Sequence, residues 1–241
     1  MSASPPQHDI NADPARRARV DSASMVWQPS PSGTVWRKPF YREGGEFGPV
    51  TGVVRYAPGG RFRSHAHPAG EEILVLDGVF SDEHGDYPAG TWLLNPEGYT
   101  HAPSSEPGCD ILVRLRQYPG GGRARLQVQT RTAPWRAASA AGLKLQPLYR
   151  EAGFPEYVAL ARLAPGSVLS ELCFPAEVEY FVLDGSLHVT DAELVPGGWL
   201  RLPPETPHAP SSRSGALYYL RLGRVTGGVY APFEANLEGS W

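Results

Sequence analysis

Short apolar runs separated by glycine, proline and acidic residues make up most of the chain from Trp27 onward. The runs include T-G-V-V-R-Y, E-I-L-V-L, T-W-L-L and I-L-V-R-L, and the pieces between them, such as N-P-E-G, consist of turn residues. Apolar runs of this length, bounded by turn residues, predict β-strands rather than helices. The 27 glycines and 25 prolines favour many turns as well. We therefore predict an all-β fold.

The strand pattern occurs twice along the chain. Trp27 recurs as Trp135, a shift of 108 positions, and after the loss of one residue the shift becomes 107, so that H-A-P-S-S at His101 recurs at His208. Two copies with so long a period indicate a duplicated domain rather than a solenoid.

The repeat divides the chain into five predicted segments. These are an N-terminal tail at 1–26, a first unit at 27–118, a linker at 119–134, a second unit at 135–225 and a C-terminal tail at 226–241. One hypothesis is that the second unit serves only oligomerisation or stability.

Three histidines and one glutamate in the first unit have the spacing of ligands for a single metal ion. His65 and His67 are two residues apart, so on a strand both imidazoles point to the same face. Glu71 follows a Pro-Ala-Gly turn and opens the next strand, and His101 follows a Pro-Glu-Gly turn. Three imidazoles and a carboxylate suit Fe, Zn, Mn, Ni, Co or Cu, and four such ligands leave about two positions open on an octahedral ion. We predict one divalent transition metal, with Fe or Zn favoured.

The same residues resemble the two signature motifs of the cupin superfamily. The first motif, G-x5-H-x-H-x3-E-x6-G, is met by Gly59, His65, His67, Glu71 and Gly78. The second motif is met by Gly90, Pro96, Gly98 and His101, with Ser105 where that motif often has Asn. The residues between and around the motifs resemble the narrower ChrR-type family, which is named for the cupin of a zinc-binding anti-sigma factor. The resemblance implies two tandem cupin (double-stranded β-helix, jelly-roll) barrels, with the metal held inside the first by His65, His67, Glu71 and His101.

The second unit lacks three of the four ligands. Leu172, Phe174 and Val178 stand where the first unit has His65, His67 and Glu71, and only His208 keeps its type. We predict that these apolar residues fill the interior of a degenerate, metal-free cupin. A shifted site built from Glu171, Cys173, Glu177 and Glu179 is the alternative.

The duplication also separates structural residues from residues that serve the metal unit. Residues present in both copies, such as Trp92 and Trp199, are better explained as structural. Arg63, Asn95 and Tyr99 occur only in the metal-bearing copy, and we predict that they support the ligands or contact a substrate.

Charge and composition exclude several classes of partner. The net charge is -3 and no basic cluster stands out, which argues against nucleic-acid binding. No apolar stretch reaches membrane-spanning length and no secretory signal is present, so no membrane association is expected. The two cysteines are far apart, which fits a reducing, cytoplasmic setting. A small-molecule ligand is the expected partner, together with a possible homodimer.

Two functions remain open at this point. An open metal site inside a barrel favours a metal-dependent oxidoreductase, and among similar cupins the cleavage of diketones or hydroxyketones by dioxygen is a known chemistry. The alternative is a non-catalytic sensor or regulatory module, as in the ChrR-type regulator. The first 26 residues hold no cysteine for the zinc site of an anti-sigma domain, so direct sigma-factor inhibition is not expected.

Overall fold

β-strands account for nearly all the regular structure of the chain. The computed structural model describes residues 8–225, apart from the side chains of residues 46, 224 and 225. Within this range the only helical segments are two 3-10 turns, Ser22–Ser24 and Gly45–Phe47, which confirms the predicted all-β fold. No described helix has the length and apolar character needed to cross a membrane. The predicted C-terminal tail at 226–241 lies outside the described residues.

The strands are numbered in chain order. The first thirteen are β1 (Ala18–Asp21), β2 (Gln28–Pro29), β3 (Val35–Arg42), β4 (Val50–Tyr56), β5 (Gly60–Arg61), β6 (His65–His67), β7 (Glu71–Asp82), β8 (Gly85–Pro88), β9 (Thr91–Asn95), β10 (Tyr99–His101), β11 (Ser104–Ser105), β12 (Cys109–Leu115) and β13 (Leu126–Gln129). The remaining ten are β14 (Arg136–Ala137), β15 (Leu143–Arg150), β16 (Tyr157–Leu163), β17 (Ser167–Val168), β18 (Ala176–Gly185), β19 (Leu187–Val189), β20 (Ala192–Leu194), β21 (Gly198–Leu202), β22 (Ser211–Ser212) and β23 (Ala216–Val225).

Among the described residues, the first compact unit contains 8–12 and Met25–Ala133. Its main sheet has the strand order β13-β9-β7-β12-β4-β3-β2, with β5, β8 and β11 attached, and β6 pairs separately with β10. The pairings are antiparallel. The 12-residue strand β7 pairs with β9 at its start, with β12 as far as Gly78 and with β8 from Val79 to Asp82, so it joins the main sheet to the smaller strands.

Among the described residues, the second compact unit contains Asp13–Ser24 and 134–225. Its larger sheet has the order β1-β21-β18-β23-β16-β15-β14, and a smaller sheet has the order β17-β22-β19-β20. Its strands repeat the arrangement of the first unit, with β18, β21 and β23 in the places of β7, β9 and β12. Two antiparallel jelly-roll units thus follow one another in the chain.

Two short strands lie where the sequence predicted a tail and a linker. β1 falls within the predicted tail at 1–26 and pairs with β21, while β13 falls within the predicted linker at 119–134 and pairs with β9. Both β9 and β21 are buried at every position, so their backbone groups need hydrogen-bond partners on both sides. Each strand alternates apolar and polar residues, A-R-V-D in β1 and L-Q-V-Q in β13, but over only four positions, and this pattern does not indicate which strand it pairs with. Thus β1, which precedes the first repeat, belongs to the second unit. In the same way β13, which precedes the second repeat, belongs to the first unit.

Residues common to both repeats make equivalent contacts. Trp92 donates its indole N–H to Glu72 at 2.7 Å, and Trp199 donates to Glu179 at 2.9 Å. Both pairs are buried, where an unpartnered indole N–H or carboxylate would be costly. The structural interpretation of these repeated residues is confirmed.

The repeated arginines behave in the same way. Arg55 lies 4.4 Å above the ring of Trp27, and Arg162 lies 4.7 Å above that of Trp135. These cation–π contacts tie an arginine of the main sheet to the segment that leads into each unit.

Candidate metal centre

Two short paired strands bring the three histidines together. β6 runs antiparallel to β10 with His65 opposite His101 and Tyr99 opposite His67. The chain then turns at Gly70, whose φ of 70° lies in the left-handed region that favours glycine. A Cβ atom at this position would lie only 2.9 Å from Tyr118 Cβ, so a larger residue would not fit without a shift of the backbone. Glu71 follows this turn as the first residue of β7.

Three of the four predicted ligands form one cluster, and the fourth, Glu71, lies beside two of them. His67 Nε2 lies 2.9 Å from His101 Nε2, and Glu71 Oε2 lies 3.5 Å and 3.4 Å from these two nitrogens. The ring of His65 is centred 4.8 Å from that of His67 and 5.4 Å from that of His101. One ligating atom from each histidine falls within 4.8 Å of the others. An ion among the three histidine nitrogens would have Glu71 beside it, on the side of His67 and His101.

His65 and His67 are held in the neutral form in which imidazole binds a metal. The Nδ1–H of His65 donates to the carbonyl of Arg63 at 2.9 Å, which leaves its Nε2 lone pair free for a ligand. Burial, together with the neighbouring His101 and His65, lowers the pKa of His67 to about 3. Burial also lowers the pKa of His65, although its hydrogen bond to Arg63 opposes the shift. Both rings therefore stay unprotonated near neutral pH.

Glu71 complements these neutral rings. Burial raises the pKa of its carboxyl group, since the charged form is poorly solvated, while His101 and Asn95 act in the opposite direction. The neutral rings of His65 and His67 supply no positive charge to compensate this buried carboxylate. A divalent transition metal supplies that charge, and this donor set fits it.

Two of the three predicted supporting residues contact the ligands. Asn95 is fully buried, and its Nδ2 donates to Glu71 Oε2 at 3.0 Å. The ring of Tyr99 packs at 5.5 Å against that of His101. Arg63 contacts His65 through its backbone carbonyl, and its exposed side chain lies along a cavity described below.

Three further residues around the ligands were not predicted from the sequence. The carboxylate of Asp82 lies 3.3 Å from His101 Nδ1 and accepts a hydrogen bond from the Tyr87 hydroxyl at 2.9 Å. Arg125 donates to the Tyr87 hydroxyl at 2.6 Å and to Asn95 Oδ1 at 3.2 Å. One guanidinium thus connects two chains of hydrogen bonds, one leading to Glu71 and the other to His101.

Asp82 is ionised in this network. Burial works to raise the pKa of its carboxyl group, but hydrogen bonds from His101, the backbone N–H of His84 and Tyr87 lower it to about 2. A carboxylate behind a histidine fixes the ring orientation and makes the other nitrogen a better ligand.

A signal for two of these residues was present in the repeat. Asp82 and Tyr87 correspond to Val189 and Leu194 in the second unit, both buried and apolar. Comparing every polar residue of the first unit with its counterpart would have identified them. Arg125 lies in the segment predicted as a linker, outside the two repeats, so a comparison of the repeats does not reach it.

The second unit has no comparable donor set at the equivalent position. Phe174 and Val178 are buried in its core and Leu172 packs against it, as predicted. The Nδ1–H of His208 donates to Thr206 at 2.8 Å, and its Nε2 lies 2.7 Å from the Tyr180 hydroxyl, which donates to it. The one retained histidine thus has both nitrogens occupied by protein groups.

The alternative shifted site is not favoured by the geometry. Glu177 and Glu179 both lie near Arg221, at 3.5 Å and 3.7 Å, and Glu179 also accepts the hydrogen bond from Trp199. Cys173 is free and exposed.

A cavity of about 1010 Å³ opens onto the ligands in the first unit. His65, His67 and Glu71 form part of its wall, and valine, isoleucine and leucine side chains of β4 and β12 form another part. A volume of this size accommodates a small organic molecule beside the metal position.

Solved structures with a similar fold include proteins with several activities. A provisionally assigned dioxygenase from Nostoc punctiforme matches with 16% identity and a TM-score of 0.73, covering 95% of this chain and 88% of its own. The bacterial pirin YhhW from Escherichia coli, solved in complex with nickel(II), matches with 12% identity and a TM-score of 0.67, covering 88% and 100%. A deletion variant of oxalate decarboxylase from Bacillus subtilis matches with 12% identity and a TM-score of 0.62, covering 91% and 79%. At such identities the likeness shows the fold alone.

The family is shown by the sequence itself. No curated protein matches the chain closely enough to be informative. The family model described as the ChrR Cupin-like domain matches twice, at residues 15–119 and 123–226, and each match begins before the strand that precedes its repeat. Both jelly-roll units are therefore cupins, and the chain belongs to the ChrR cupin-like family.

Proposed function

We propose that the first cupin unit binds one divalent transition metal through His65, His67, Glu71 and His101 and acts as a metal-dependent oxidoreductase, most simply a dioxygenase. The observation that supports this most strongly is the convergence of three imidazoles and a buried carboxylate on the wall of a cavity. The proposed substrate is a small organic molecule of the diketone or hydroxyketone type. Fe and Zn are the favoured metals, and Mn, Ni, Co and Cu also suit the donor set.

The chain's own residues would perform three tasks. His65, His67, Glu71 and His101 would hold the ion and leave part of its surface toward the cavity. Asn95 and Asp82 would keep Glu71 and His101 in position. The apolar wall of β4 and β12 would exclude water around the substrate. A bound metal supplies Lewis acidity toward the substrate oxygens and, when it is redox-active, a means of engaging dioxygen.

Dioxygen uptake tests this proposal. Protein loaded with Fe(II) under anaerobic conditions is mixed with a panel of diketones and hydroxyacetophenones, and oxygen consumption is followed with an electrode. The expected result is consumption that depends on both metal and substrate and is absent in the His67→Ala variant. No uptake with any substrate and any loaded metal would count against an oxygenase.

The family match keeps a second function open. The ChrR cupin-like model describes the cupin of a regulator, so a metal-binding sensor module is the alternative. Zinc as the resident metal in protein isolated from its host, together with a co-purifying sigma factor or DNA-binding protein, would favour it. The cytoplasmic location, the lack of nucleic-acid binding and the possible homodimer stay predictions.

A further inference from the structure

The cavity beside the proposed metal position is lined by an excess of positive charge. Six of its described lining residues carry a cationic side chain, and they are Arg37, Lys38, Arg42, Arg61, Arg63 and Arg116. Glu71 is the one acidic residue among the described lining residues. The whole chain, by contrast, has a net charge of -3. Cationic residues therefore outnumber acidic ones in this lining although the chain as a whole is slightly negative. The Lys38 ammonium itself lies over the ring of Trp27, at 4.4 Å.

Five of the six cationic residues occur only in the unit that contains the candidate metal ligands. In the second unit the positions of Arg37, Lys38, Arg61, Arg63 and Arg116 are taken by uncharged residues. These counterparts are Leu145, Gln146, Val168, Ser170 and Gly223, and only Arg42 keeps its type, as Arg150. The second unit thus forms the same cupin fold without five of the six charges, so the fold does not require them. Their presence in the unit that holds the ligands points to the molecule bound there.

The cationic side chains share the cavity with apolar ones. Val53, Val54, Ile111 and Val113 line the same space as the ligand residues. The Arg37 guanidinium lies 5.8 Å above the ring of Phe62, which itself packs at 6.1 Å against the ring of His65. The cavity therefore offers an apolar surface next to the metal position and planar guanidinium groups around it. Guanidinium groups recognise carboxylates through paired hydrogen bonds.

We propose that the substrate is an organic acid, a keto or hydroxy compound with an apolar body whose carboxylate is bound by the cavity cations. This rests on the proposed function for the metal position, and it narrows the substrate class from neutral diketones to their carboxylate-bearing relatives. Arg61 and Arg63 are the cations to test, because both side chains are exposed at the cavity and their removal leaves the buried core intact.

A matched pair of ligands tests the charge requirement directly. Benzoylacetone and benzoylpyruvate share a phenyl diketone skeleton and differ in that a carboxylate replaces a methyl group. Binding to the zinc-loaded protein, which cannot turn over with dioxygen, is measured by calorimetry at low and high salt. Benzoylpyruvate is expected to bind at least about tenfold more tightly, with an advantage that shrinks as salt is raised.

Variants show whether the advantage comes from the arginines or from the metal. Arg61→Gln and Arg63→Gln, singly and together, should weaken benzoylpyruvate binding severalfold and leave benzoylacetone binding unchanged. The control Arg131→Gln removes an exposed arginine of the same unit that does not line the cavity, and it should change neither. Unchanged benzoylpyruvate affinity in the double variant would place its carboxylate on the metal and overturn the proposal. Equal affinity for the two diketones, or tighter binding of phenyl phosphate than of benzoylpyruvate, would also overturn it.

Failure of the proposed metal-dependent oxygenase can be distinguished from failure of the carboxylate site. A chain that binds no metal by elemental analysis refutes the metal site itself. A metal-loaded chain that prefers benzoylpyruvate through Arg61 and Arg63 but consumes no dioxygen refutes the oxygenase and supports the carboxylate site.

Discussion

Arg125 provides a sharp test of how the metal position is organised. Its guanidinium donates to Asn95 and to the Tyr87 hydroxyl, and these two residues contact Glu71 and Asp82. The Arg125→Gln substitution removes the positive charge and at least one of the two hydrogen bonds. We expect weaker metal binding, although Arg125 itself touches no proposed ligand.

The expected size follows from the position of Arg125 in the network. It lies behind both supporting residues, and removal of an outer-shell partner usually lowers metal affinity by about 10- to 100-fold. Because Arg125 acts at one remove from the ligands, we expect the lower end, about tenfold, which corresponds to about 1.4 kcal/mol. Arg125→Lys keeps the charge but lacks the planar fork, and we expect it to restore only part of the affinity.

The duplicated chain offers a matched control. Arg17 immediately precedes β1 just as Arg125 immediately precedes β13, and it forms an exposed ion pair with Asp191 in the second unit. Because the Arg17 ion pair is exposed, Arg17→Gln should leave both the stability and the metal affinity nearly unchanged. Zinc affinity is measured by competition with a chromophoric chelator, and thermal unfolding of the metal-free protein reports stability. Equal metal affinity in wild type and Arg125→Gln, or an equal loss in Arg17→Gln, would refute the network.

Further predictions concern the ligands, the ionised carboxylate and pH. His67→Ala should lower metal affinity by at least about a hundredfold while His208→Ala does not, as judged by metal content after dialysis, and equal losses would contradict a single site in the first unit. Asp82→Asn keeps the side-chain size but removes the charge behind His101, so zinc affinity should fall about tenfold in the chelator assay, and an unchanged value would contradict its role. Burial lowers the pKa of His67 to about 3 from 6.5, so on acidification the unfolded chain binds a proton before the folded one does. The free energy of unfolding of the metal-free protein should therefore fall as pH drops below 6.5, and thermal melts that show rising stability on acidification would contradict this.

The sequence alone identified the four candidate ligands but only part of their surroundings. His65, His67 and Glu71 could be found because strand alternation and a short turn bring residues close in sequence to one face. His101 lies 34 positions after His67 and was indicated by the second motif. Asn95 and Tyr99 followed from comparing the two repeats.

Asp82 and Arg125 depend on contacts between distant parts of the chain. Asp82 reaches His101 because β7 continues through 12 residues, far beyond the apolar run that marks its start. Arg125 reaches Asn95 because β13 pairs with β9, and a pairing of this kind is set by the unmet hydrogen bonds of a buried strand rather than by the strand's own residues.

The exchanged strands β1 and β13 determine how this protein can be divided. A truncation placed in the predicted linker ahead of β13 would leave β9 with one unpaired side and would remove Arg125 from the metal-bearing unit. Such a fragment would expose a buried, apolar strand to pairing with other chains and would be prone to aggregate. A fragment of residues 25–133 would keep β13, whereas a fragment that begins at 134 would lack β1, which lies more than a hundred residues upstream. Excision of the second cupin therefore requires that residues 13–24 be joined to it, for example by circular permutation.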